Sequence, residues 1–285
     1  MLSKLNRHIV RALLGSLAIL GTSAFATSCT TDSEEQTVQV KQPTLIFVHG
    51  WACDSTYWQE QVAVFGETHP VIAIDLPGHG TAPADSEDYT IDEFAQAVTS
   101  RADASGADEF ILIGHSMGGP VVVEAATTLG DKVLGVVGVD TLKSTGRPPL
   151  PQPAAAQAFG YEASEFAQWT TGLVRSRFFV DSSPQELQSR ISTDMAADDP
   201  EIARSAGISL MMFDIAGALS QLNDAGAPPI VLINSDYTPT DTQALSEHYP
   251  NSSVKLMSDV GHFVMLEKPI EFNETLSETI LGFSE

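Results

Sequence analysis

Six short apolar runs punctuate the chain: Thr44 to Val48, Val71 to Ile74, Phe110 to Ile113, Val133 to Val139, Ile230 to Ile233 and Val254 to Met257. They are rich in Val, Ile and Leu, and most are too continuous for a strand with one face in water. Helix-compatible stretches separate them. This alternation predicts a mainly parallel sheet covered by helices on both faces, an α/β fold.

The punctuation of the intervening stretches supports helices. Asp54 or Ser55 can cap a helix running to Phe65, Thr90 with Glu93 forms a capping-box pattern opening a segment to Ala104, and Val121 to Leu129 stops at Gly130. Near the C-terminus, Ile270, Phe272, Leu276, Ile280 and Leu281 have the spacing of a helix with one apolar face against the sheet. One interval breaks the rhythm, the long gap between the Val133 and Ile230 runs. It opens with the Pro-rich hinge Arg147-Pro148-Pro149-Leu150-Pro151-Gln152-Pro153 and carries Phe159, Phe166, Trp169, Phe178, Phe179, Met211, Met212 and Phe213. We read it as a helical cap over one edge of the sheet.

At the N-terminus, Lys4, Arg7 and Arg11 precede an uncharged apolar stretch from Ala12 to Ala26, followed by polar Thr27 to Gln36, the order of a cleaved export signal. The apolar stretch is shorter than the roughly 20 residues of a membrane span. Two processing routes are open. Ala24-Phe25-Ala26 suits release after Ala26, whereas Ala26-Thr27-Ser28-Cys29 resembles a bacterial lipobox, with Cys29 lipidated and Thr30 to Thr37 serving as a tether. Either route predicts export across a bacterial inner membrane to the periplasm or envelope, the second with membrane attachment.

Composition and charge narrow the function. With 43% hydrophobic and 18% charged residues over 285 positions, the chain can bury a sizeable core of its own. Lys and Arg total 14 against 37 Asp and Glu, a net charge of −23 that excludes tracking of a nucleic-acid backbone. Loss of residues 1–28 removes three basic and no acidic residues and takes the charge to −26, a surface expected to repel anionic lipids and anionic substrates. The two cysteines, Cys29 and Cys53, are too few for a zinc cage. Neither a metal-ligand cluster nor a G-x-G-x-x-G or P-loop is present, so no cofactor is expected.

The chemistry concentrates at Gly114-His115-Ser116-Met117-Gly118, a G-x-S-x-G pattern placed directly after one apolar run and before a predicted helix. That context puts the serine on a sharp strand-to-helix turn, its Oγ exposed and the helix N-terminus aimed at what it attacks. Phe47-Val48-His49-Gly50-Trp51 follows the first strand, Asp75-Leu76-Pro77-Gly78-His79-Gly80 the second, and Gly261-His262 precedes the last helix. With these pieces the chain resembles the α/β-hydrolase family from about Thr44 to Phe283. The family usually has two antiparallel strands before the His-Gly turn, and only Thr37 to Lys41 offers one here. The resulting division is a signal peptide at 1–28, a tether and candidate edge strand at 29–43, a hydrolase core at 44–143 and 226–285, and the cap at 144–225.

A serine hydroxyl needs a base within hydrogen-bond reach and a carboxylate to orient that base. The resemblance assigns the base to His262, on the loop after the last run, and gives His49, His79 and His115 structural or flanking roles. Asp236, after the Ile230 run, completes the chain order Ser116, Asp236, His262 and is the expected acid. Asp140, ending the Val133 run, is its competitor, and Asp241 a weaker third. The resemblance also implicates the backbone N–H groups of Trp51 and Met117 as the oxyanion hole.

A serine nucleophile disfavours dehalogenase and epoxide hydrolase chemistry, in which a carboxylate attacks. The expected activity is hydrolysis of a small neutral carboxylic ester or lactone through an acyl-serine, with the aromatic cap choosing the substrate. The same residues also serve C–C bond hydrolases and cofactor-free perhydrolases, and a non-catalytic receptor for a small molecule is the reading from another class. Oligomeric state is not legible.

Overall fold

The computed structural model describes residues 41–86, 88–225 and 228–283. The export signal, Cys29 and all of the candidate first strand except Lys41 lie outside the described residues, and Lys41 is in no strand.

In chain order the elements are β1 (Thr44–Val48), α1 (Gln59–Phe65), β2 (Val71–Ile74), α2 (Ile91–Ser105), β3 (Phe110–His115), α3 (Gly118–Leu129) and β4 (Val133–Val139). There follow α4 (Gln152–Ala158), α5 (Phe166–Arg177), α6 (Gln185–Ala196), α7 (Pro200–Met212), α8 (Ile215–Asp224), β5 (Ile230–Ser235), α9 (Thr242–His248), β6 (Ser252–Met257), α10 (Val264–Glu267) and α11 (Pro269–Gly282). The six strands form one sheet in the order β2-β1-β3-β4-β5-β6, every pairing parallel.

The gradient of burial across the sheet explains which runs read most clearly. All residues of β1 and β3 are buried, so both faces must be apolar. The outermost strand β6 is half-exposed, with Leu256 open to solvent and Lys255 on the edge. A charged residue there discourages pairing with another chain. Thr90 opens α2 with the capping box its sequence predicts: Glu93 N–H donates to the Thr90 hydroxyl and Thr90 N–H to the Glu93 carboxylate. The last helix departs from expectation. Phe272, Leu276 and Ile280 are buried in one stripe, but Ile270 and Leu281, about three turns apart, share the opposite side of the helix and face solvent.

Five helices intervene between β4 and β5. The last of them, α8, packs against α3, so it belongs to the layer covering the sheet. Trp51 ties the interval between β4 and β5 down: its indole Nε1–H donates to the Ala203 carbonyl at 2.6 Å, and its ring meets Phe159, Phe166 and Trp169 at centroid distances of 5.7, 6.3 and 6.0 Å. Tyr89 and Ile91 also donate backbone N–H bonds to Ser205 and Ser209 of α7.

Candidate active site

Non-glycine residues with left-handed backbone cluster at the C-terminal ends of the strands. Ala52 follows β1, Ser116 follows β3, Asp140 and Leu142 follow β4, and Asp259 follows β6, with φ values between 44° and 56°. Such residues persist only where surrounding structure holds them, and they gather at functional sites.

At Ser116, φ is +51°, and the strain is held in place by neighbours. Ser116 N–H donates to Val139 O at 3.0 Å, while Ser116 O accepts from Thr141 Oγ1 at 2.7 Å and Gly119 N at 2.9 Å. The glycines two positions either side are needed for close approach: a Cβ at Gly114 would lie 2.2 Å from Gly118 O, and one at Gly118 would lie 2.6 Å from Val48 O. The turn leaves the Ser116 side chain half-buried in the wall of a cavity of about 530 Å³ that Asp140 and His262 also line.

His262 Nδ1 bonds Asp140 Oδ2 at 2.6 Å. This corrects the expected pairing with Asp236. Asp236 continues the ladder to β6, donating its N–H to Met257 O, and its exposed carboxylate accepts from Ser258 Oγ at 2.7 Å, away from the imidazole. At Asp140 the chain instead turns through φ +44° as β4 ends, and this turn brings the carboxylate to His262. Asp241 caps α9.

The second oxygen of Asp140 is also occupied. Asp140 Oδ1 accepts from Ser235 N–H at 2.7 Å and meets Lys143 Nζ at 2.7 Å. The ammonium is further enclosed by the carbonyl and hydroxyl oxygens of Ser235 and Thr238, at 2.9 to 3.2 Å. Burial alone would raise the carboxyl pKa, but the hydrogen bond and charge of His262, with those of Lys143, hold it down to about 2. Lys143 was not singled out from the sequence; the signal was its position three residues beyond a strand-ending aspartate.

The imidazole is fixed from several sides. His115 Nε2–H donates to His262 O at 3.0 Å, and the two rings lie 4.7 Å apart. Burial depresses the His115 pKa to about 3, and likewise that of His49, whose Nε2 accepts from Leu76 N–H. Both are neutral struts. His262 N–H donates to Phe178 O at 2.7 Å, and a Cβ at Gly261 would sit 2.2 Å from that same carbonyl. Glu267 accepts from the N–H groups of Gly261 and Phe263 and from the Ser183 hydroxyl.

Trp51 and Met117 are related by the sheet. Val48 pairs with Gly114, and the two residues stand three positions beyond that pair at the same end of adjacent strands. Trp51 does not line the cavity; Leu150, Phe178, Leu210, Met211, Phe213 and Ile215 of the interval after β4 do. Cys53 is buried, its thiol donating to Trp51 O, and burial pushes its pKa up. Asp75 accepts from Ser55 and Thr81 and so holds the turn after β2. No group of three or more His, Cys, Asp or Glu among the described residues is arranged to hold a metal ion.

A family model described as "Alpha/beta hydrolase family" matches residues 45–275. The chain is 24% identical over 265 residues to the 3-oxoadipate enol-lactonase 2 of Acinetobacter baylyi, spanning 86% of this chain and 91% of that one. It is 24% identical over 244 residues to the pimeloyl-acyl-carrier-protein methyl ester esterase of Nitrosomonas europaea, spanning 81% and 92%. Among solved structures, a thermophilic esterase from Thermogutta terrifontis superposes with a TM-score of 0.75 at 20% identity, over 85% of this chain and 91% of that one.

Proposed function

The chain belongs to the alpha/beta hydrolase family, and on that footing we propose that it is a serine hydrolase cleaving carboxylic esters or lactones through an acyl-serine intermediate. The observation that carries this reading is the pairing of His262 with buried Asp140 in the wall of the cavity that also holds Ser116. The relatives named for enol-lactone and methyl ester hydrolysis support the same bond class.

In this mechanism Ser116 Oγ attacks the ester carbonyl while His262 Nε2 takes its proton. Asp140 keeps the proton on Nδ1 and stabilises the imidazolium that forms. The carbonyl oxygen becomes an oxyanion, and the backbone N–H groups of Trp51 and Met117 are the donors assigned to it. Among the described residues neither enters a hydrogen bond within the protein, which leaves both free for a ligand. A single such donor can supply about 3 to 4 kcal/mol to the barrier reduction. Collapse breaks the C–O bond, with His262 returning the proton to the departing oxygen. Water then attacks the acyl-serine with the same base, releasing the acid and restoring the serine.

The test is turnover of p-nitrophenyl esters of graded chain length by the native protein and by Ser116→Ala. We expect the variant to lose at least about 10³-fold in kcat. Equal turnover in both would overturn the assignment of the nucleophile.

A further inference from the structure

The cavity over Ser116 is cationic in a strongly acidic protein. The sequence carries 37 acidic residues against 14 Lys and Arg, yet the cavity is lined by Lys143, Arg147 and Arg177 with Asp140 as its one acid. Asp140 and Lys143 satisfy each other, as described above, so neither presents a free charge to a ligand. The two arginines differ. Arg147 comes from the Pro-rich connection after β4 and Arg177 from the last turn of α5, and neither guanidinium group has an ion-pair or hydrogen-bond partner among the described residues.

Two segments some thirty residues apart in sequence thus bring unpaired guanidinium groups to one cavity. A cation at a helix C-terminus has a general rationale in the helix dipole. That rationale is met equally by Arg175 on the same turn, which does not line the cavity. The remaining wall mixes apolar groups, Leu142, Leu150, Phe178, Leu210 and Phe213 among them, with the hydroxyls of Thr141, Ser144, Thr145 and Thr238.

From this we infer that the substrate is an ester or lactone bearing a free carboxylate at the end of an apolar body, with Arg147 and Arg177 receiving the carboxylate while Ser116 attacks the scissile carbonyl. The planar donor fork of a guanidinium matches a carboxylate in a way an ammonium does not. Net charge acts on anions at a distance and is screened within about 8 Å at physiological ionic strength, whereas the arginines act in contact, so the global charge does not forbid an anionic substrate. This proposal departs from the neutral substrate expected from the sequence. The inference rests on the serine hydrolase reading and deepens it.

The test compares mono-p-nitrophenyl glutarate, an anionic half-ester, with p-nitrophenyl valerate, its neutral counterpart of equal chain length. We expect kcat/KM to favour the half-ester by about tenfold or more, the worth of one charge-assisted hydrogen-bonded pair, and the preference to shrink at high salt. The ratio should fall to near unity in the double variant Arg147→Gln/Arg177→Gln and persist in Arg175→Gln. A native ratio near unity, or a preference surviving the double variant, would overturn the inference while leaving the hydrolase reading intact. Failure of both esters would instead count against the hydrolase reading. Titration of Ser116→Ala with monomethyl glutarate then decides the anion site alone: binding lost on adding the two Gln substitutions supports it, and absence of binding overturns it.

Discussion

Strands β4 and β5 lie side by side, each running into an aspartate at the same end of the sheet, and the two aspartates do different work. Asp140 leaves β4 in a left-handed turn, is 4% exposed at its side chain, and bonds an imidazole, a backbone N–H and an ammonium. Asp236 extends the β5–β6 ladder by one bond and holds a surface serine. Residue type and strand position are shared. What separates a site carboxylate from a loop carboxylate is one backbone angle and the partners it brings within reach.

The sharpest way to break that comparison is to amidate each acid in turn. Asp140→Asn should lower kcat by about 10³- to 10⁴-fold, as when an orienting carboxylate can no longer hold its imidazole in the right tautomer. Asp236→Asn, at an exposed position, should change kcat by less than about threefold. The reverse order would return the acid's role to Asp236. A smaller effect tests what steadies Asp140. Lys143→Met removes the ammonium from Oδ1 and should cost about tenfold in kcat, as losses of outer-shell partners do. Because Lys143 acts through Asp140, the same substitution in the Asp140→Asn background should have little further effect, a non-additivity that a merely structural lysine would not produce.

A separate readout is stability. The Asp140 pKa is depressed from 3.8 to about 2, so the folded state binds this proton less readily than the unfolded chain. Its contribution is present above about pH 4 and is lost as pH falls toward 2, an amount of about 2 kcal/mol. Denaturant unfolding between pH 5 and pH 2, reported as the difference between native protein and Asp140→Asn, should show the native protein losing the larger share on acidification. Parallel curves would mean that the carboxylate draws no net stability from its partners.

The sequence made the strands and the nucleophile turn legible because both are local. Each apolar run coincides with a strand or lies within one, and Ser116 sits where five consecutive residues bend from β3 into α3. The acid was not legible because Asp140 and Asp236 both satisfy the chain order of serine, acid and base, and no local pattern announces that φ will turn positive at 140. The cavity's charge was hidden for a related reason: Arg147 and Arg177 are distant in sequence and outnumbered by acids, so only the folded chain reveals that they face one space. On α11, spacing named five apolar positions, but the sheet covers only a narrow stripe and leaves Ile270 and Leu281 outside.

The loop that carries His262 leans on the segment joining α5 to α6, through the bond to Phe178 O and through the Glu267 carboxylate that grips Ser183. The cap segment and the proposed base are thus one mechanical piece. Anyone transplanting a foreign lid to change what this scaffold accepts must retain the stretch from Phe178 to Ser183 and make exchanges upstream or downstream of it. A graft that severs that junction would unseat the imidazole before it ever met a new substrate.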